Sequence, residues 1–145
     1  MNCIHTVQAK NRYMGRLPRG SDILKTITEL CRREGIRLGR VEAIGAVEKA
    51  HLGYYDQQAR EYRYNQLDRP LEITSLSGNI SLRDGEPFVH AHVTLADSDG
   101  RTYGGHLAEG NIAFACEFMV EVFEGAPLER RFDEETDLYL WEPSS

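Results

Sequence analysis

Lysine is scarce in this chain, three residues against fourteen arginines among 145. The 17 basic side chains face 23 acidic ones, for a formal net charge of −6. An acidic domain has no overall attraction for a polyanion, so a nucleic-acid role would need a local basic patch. Cysteine is scarce too. Cys3, Cys31 and Cys116 are odd in number, far apart and in no CxxC arrangement. That excludes a disulfide framework and fits reduced thiols packed as small hydrophobes. No apolar run approaches the roughly 20 residues of a membrane span. Residues 1–10 lack a basic segment followed by an apolar stretch, so no secretory signal is expected and a cytoplasmic location is. Ser-His-Asp and Cys-His nucleophile patterns, a GxGxxG fingerprint and a Walker loop are all missing. Gly104-Gly105 is too short to cradle a phosphate.

What remains is the composition of an ordinary globular unit: 41% hydrophobic, 28% charged, 9% aromatic. The length suits one domain, residues 1–145, able to bury roughly two-thirds of its unfolded surface. Residues 3–10 read as a first strand and residues 13–20 as a loop punctuated by Gly15, Pro18 and Gly20. Ser21 stands at the N-cap of a helix, with Asp22 in its first turn. Ile23, Leu24, Ile27, Leu30 and Cys31 form one buried helical face, and Gly35 supplies the stop after Arg32 and Arg33.

Beyond the helix the period changes to two. Strands are expected over residues 41–47, 49–56, 60–65, 71–82, 88–96, 101–107 and 112–123, with turns at Asp84-Gly85 and Ser98-Asp99-Gly100. On the long strand over 71–82, Leu71, Ile73, Ser75 and Ser77 share one face. In the 112–123 segment every second residue from Ile112 through Phe114, Cys116, Phe118 and Val120 to Val122 is apolar, which favours strand over helix. Residues 128–142 read as a turn and a short strand over 138–141. The fold class is therefore α+β: a large, mainly antiparallel sheet with one principal helix packed on it. One helix cannot cover both faces of such a sheet, and self-association is the economical cover.

The candidate chemistry lies in the histidines. His90 and His92 are two apart, so on a strand both leave the same face about 6.5–7 Å apart. Whether His106 joins them depends on the hairpin between them. A three-residue loop with Gly100 left-handed pairs Asp97 with Arg101 and sets His92 opposite His106. A two- or four-residue loop turns His106 to the other side. In the first register three neutral imidazoles share one face, the ligand set of an open metal site such as zinc. Glu109, two residues beyond His106–Leu107, is the nearest acidic candidate for a partner of the imidazoles or a general base. Arg16 and Arg19, before the helix, are candidates for binding an anionic ligand group. His5 and His51 read as structural.

The chain resembles the plant and prokaryote conserved (PPC) domain from about Arg16 to Trp141. The likeness is carried by Leu17-Pro18-Arg19-Gly20-Ser21-Asp22, Ala43-Ile44-Gly45-Ala46 and Leu52-Gly53-Tyr54-Tyr55-Asp56. It continues through residues 72–78, His90-Ala91-His92 and Gly104-Gly105-His106-Leu107. The resemblance implies a mixed, mostly antiparallel α/β fold, assembly as a homotrimer and a regulatory, DNA-associated role. There is no Arg-Gly-Arg-Pro hook. Of the plant hexapeptide Gly-Arg-Phe-Glu-Ile-Leu, only Glu72 and Ile73 stand here.

Two functions follow as expectations. One is a homotrimeric binding module, with protein partners and weak or indirect contact with DNA because the domain is acidic. The other is a zinc-dependent hydrolase or lyase acting on a small anionic substrate, with His90, His92 and His106 on the metal.

Overall fold

In the computed structural model, which describes residues 3–142, the period-two segments form one nine-stranded sheet. The outermost residues of the expected 1–145 domain lie outside the described span. The elements are β1 (Gln8–Leu17), α1 (Ile23–Arg33), β2 (Gly39–Asp56), β3 (Glu61–Leu67), β4 (Leu71–Arg83), β5 (Glu86–Ala96), β6 (Thr102–Leu107), β7 (Ile112–Glu124), β8 (Glu129–Asp133) and β9 (Leu138–Trp141). Every strand pairing is antiparallel except the short β4–β8 contact.

β2 organises the sheet. Its first half pairs with β4 and with β7, and its second half pairs with β3 and touches β6 at Leu52 and Gly53. Because β4 pairs with β5 and β5 with β6, the strands β2, β4, β5 and β6 close into a hydrogen-bonded ring. β1 extends the sheet beyond β7, and the β8–β9 hairpin joins the end of β4. The helix packs on β5 and seals the core with Ile23, Ile27 and Cys31, which are fully buried with Val41, Ile80, Leu95 and Val120.

The helix is close to expectation, with one change at its start. Asp22, not Ser21, is the N-cap: its Oδ1 accepts the Lys25 N–H at 3.0 Å, while the Ser21 hydroxyl donates to the Pro18 carbonyl at 2.6 Å. Gly35 has φ +64, the left-handed stop expected there.

The strands depart more. Residues 13–17 belong to β1 rather than to a loop, because β7 offers a partner along the whole length from Gln8 to Leu17. Gly15 fits that strand since a Cβ there would sit 3.1 Å from the Phe118 ring. The two strands expected over 41–56 are one 18-residue strand, β2, bent at Gly45, where φ is +133. On β4 a register shift between Ile73 and Ser75 changes the phase. Leu76, Ile80 and Leu82 therefore follow Leu71 and Ile73 into the core, and Ser75 and Ser77 do not. A similar shift on β7 leaves Phe114 half-exposed while Ala113 and Cys116 are buried. The C-terminal segment is a hairpin of two strands, not one.

Candidate metal centre

The centre is built on the β5–β6 hairpin. Asp97 N–H donates to the Arg101 carbonyl at 3.0 Å, Gly100 N–H to the Asp97 carbonyl at 2.9 Å, and Gly100 has φ +77. The Asp97 carboxylate accepts the N–H groups of Asp99 and Arg101, both at 3.0 Å, and fixes the three-residue loop. The register that follows sets His92 opposite His106. His90 stands two residues before His92, and the three rings converge with centroids 5.1–5.6 Å apart. Two glycines allow the approach. A Cβ on Gly78 would overlap the His90 carbonyl, and one on Gly105 would come within 2.7 Å of the Gly53 carbonyl.

One ligand nitrogen from each ring lies within 4.8 Å of the other two. Two nitrogens on a tetrahedral zinc at about 2.05 Å are about 3.3 Å apart, so the three rings would have to draw somewhat closer to hold an ion. Two further observations fit an ion. The Nδ1 of His106 is buried with no hydrogen-bond partner. Desolvation, with the Arg130 guanidinium and the other two imidazoles, pushes the His90 pKa down to about 4, and desolvation also lowers that of His106. Both are then neutral near pH 7, the state in which imidazole binds metal.

The environment contains residues that sequence reasoning missed. Arg130, on β8, is 7% exposed and lies beside His90, with Nη2 3.5 Å from its Nδ1. Nε donates to the Ser81 hydroxyl at 2.9 Å, Nη2 to Asn79 Oδ1 at 2.9 Å and Nη1 to the Tyr139 carbonyl at 3.1 Å. Tyr62, on β3, packs its ring 5.1 Å from that of His106. In the sequence nothing distinguishes Arg130 from the thirteen other arginines, because its burial depends on a hairpin read there as a single strand.

The other sequence candidates lie elsewhere. Glu109 pairs with Lys25 at 2.9 Å and lines, with His106, a groove against α1; its carbonyl binds the His51 Nδ1 at 2.7 Å. His51 also packs on Tyr64, consistent with a structural role. Arg19 pairs with Glu48 at 2.9 Å and stacks on Phe114, and Arg16 sits on β1 opposite Glu117. Neither arginine lines the cavity that holds His90, His106 and Arg130.

Fold and centre together define a small antiparallel-sheet domain with a three-histidine ligand set on one hairpin. A model of the Plants and Prokaryotes Conserved (PCC) domain matches residues 4–124, and the chain belongs to that family. A structure described as a metal-containing protein from Archaeoglobus fulgidus is 44% identical, with a TM-score of 0.92 over 96% of this chain and 98% of that one. A plant- and prokaryote-conserved protein from Pyrococcus horikoshii is 36% identical, with a TM-score of 0.90 over 97% and 96%. A proposed DNA-binding protein from Bacteroides thetaiotaomicron is 25% identical, with a TM-score of 0.86 over 97% and 98%. Among curated proteins, the bifunctional protein GlmU of a Synechococcus strain is 34% identical over 126 residues. That match spans 86% of this chain and 18% of the relative's length.

Proposed function

We propose that the chain is a zinc-binding domain that acts on, or responds to, a small anionic ligand, and that it works as a homotrimer in the cytoplasm. The observation that carries the reading is the convergence of His90, His92 and His106 within 4.8 Å. Three imidazoles with no thiolate suit zinc, and the description of the Archaeoglobus fulgidus relative as metal-containing supports a metal. Bound there, the ion supplies Lewis acidity to a ligand group, the chemistry used by hydrolases and lyases. The protein's own part is to keep His90 and His106 deprotonated and to present a cation, Arg130, beside them. Self-association is supported by the exposed Met14 and Ile44, which share a groove with Phe118 and Met119.

A DNA-associated regulatory role is supported by the description of the Bacteroides relative. A net charge of −6 weighs against direct binding by this domain and favours contact through a protein partner. The test of the main reading is metal analysis by inductively coupled plasma mass spectrometry on untagged protein and on its His106→Ala variant. About one zinc per chain, lost in the folded variant, is expected. No metal in the wild type after zinc is added and the excess removed would sink it.

A further inference from the structure

A buried arginine ordinarily meets a carboxylate, since an unpaired charge away from water is costly. Arg130 does not. Among the described residues its side chain bonds only neutral groups, on Ser81, Asn79 and Tyr139, and no carboxylate lies within salt-bridge distance. Guanidinium has five N–H donors, and three are committed to these acceptors. One N–H on each terminal nitrogen is left, and the contact to His90 at 3.5 Å is at the outer limit of a hydrogen bond. Two such N–H groups are the fork that a carboxylate accepts in bidentate fashion.

Arg130 lines a cavity of about 330 Å³ together with His90, His106 and residues of the β8–β9 hairpin. Its wall combines the rings of Tyr55, Tyr62, Phe88 and Tyr139 and the side chains of Leu138 and Leu140 with charged groups, Glu61 and Asp137 among them. Tyr62 packs 5.2 Å from Tyr55, and Arg83 stacks 3.5 Å over the Tyr139 ring, which holds the wall in place. Of the other lining cations, Arg60 is paired with Asp137 at 3.3 Å and Arg83 with Asp84 at 3.8 Å, so among the described residues Arg130 is the lining arginine without an anion. The PCC match ends at residue 124, and the hairpin that carries Arg130 lies beyond it.

We propose that this cavity binds a small aromatic carboxylate, with the carboxylate on Arg130 and the ring against Tyr62 and Tyr139. The β8–β9 hairpin is then the element that selects the ligand for the histidine centre. The inference rests on the metal reading for what happens to the ligand, not for its binding. Its test therefore compares zinc-loaded and chelator-treated protein.

The probes are benzoate, its neutral counterpart benzamide, and phenyl phosphate, titrated calorimetrically. Benzoate is expected to bind saturably and at least ten-fold more tightly than benzamide, in both metal states. Arg130→Gln should lose roughly ten- to a hundred-fold in benzoate affinity while keeping its zinc. Equal affinity for benzoate and benzamide, or an unchanged affinity in a folded Arg130→Gln protein, would overturn the proposal. So would preference for phenyl phosphate, or no saturable benzoate binding. If Arg130→Gln does not fold, the benzoate-to-benzamide ratio of the wild type decides alone. Wild type that takes up no zinc yet discriminates benzoate from benzamide refutes the metal reading and supports this one.

Discussion

His90 is held neutral by its surroundings, and that has a measurable consequence for stability. Its pKa in the fold is about 4 against an ordinary 6.5, chiefly from burial and secondarily from the Arg130 cation. Between those values the unfolded chain binds a proton that the folded chain refuses, so stability rises with pH across this window. The contribution is fully present above pH 6.5 and is lost as pH falls toward 4. Between pH 7 and pH 4.5 it amounts to at most roughly 2–3 kcal/mol, reduced to the extent that solvent screens the ring. Metal-free wild type should therefore lose more stability between pH 7 and pH 4.5 than His90→Gln does, by urea unfolding at fixed protein concentration. The carboxylates common to both proteins cancel in that difference. Equal losses would mean that the His90 ring reaches water freely. His106, lowered in the same direction by desolvation first and His92 second, acts in the same sense and keeps the nitrogen that lacks a partner available to an ion.

Two elements position the centre, and they were not equally legible. Asp22 is the clasp of α1: Oδ1 caps Lys25 N–H at 3.0 Å and Oδ2 accepts Gly110 N–H at 2.6 Å, tying the helix to the loop before β7. Asp22→Ala should cost about 2 kcal/mol in unfolding free energy, with Asp22→Asn much closer to wild type. A loss below about 0.5 kcal/mol for Asp22→Ala would show that neither bond matters. The N-cap lies one residue later than expected, at Asp22, but the helix, its C-terminal stop and the β5–β6 turn could be read because their signals are local: an apolar face, a left-handed glycine, a loop of fixed length. That turn alone decides that His92 faces His106. The bulges at Thr74 on β4 and at Phe114 on β7 could not be read, because they arise where these strands pair with partners far away in the chain. Each reverses the alternation beyond it, which is why Ser75 does not follow Leu71 and Ile73 inward and Phe114 is half-exposed. Arg130 was hidden for a related reason, since its partners Asn79 and Ser81 are about 50 residues earlier and meet it only through the short parallel β4–β8 contact.

For the whole molecule the question is what covers the sheet outside the ring. Met14 is 78% exposed and Ile44 58% exposed, and they share one groove with Phe118 and Met119. Among the described residues no element lies over Met14 and Ile44, and the helix is committed to β5. Burying each such side chain contributes roughly 1.5–3 kcal/mol, so a second copy gains from meeting them, whereas a hydrated nucleic-acid backbone does not. A threefold assembly in which each copy contributes this groove follows from the proposed function. Sedimentation equilibrium should then give about three times the chain mass of 16.5 kDa. Ile44→Glu should shift that mass toward the monomer, because a carboxylate at a dry interface has no partner there. The three histidines all come from one hairpin of one chain, so the Ile44→Glu monomer should still bind the zinc that wild type binds. A wild-type monomer at micromolar concentration would remove the assembly. An Ile44→Glu trimer would move the interface to another surface. Loss of zinc on dissociation in a variant that stays folded would mean that a neighbouring copy, and not this hairpin alone, completes the centre.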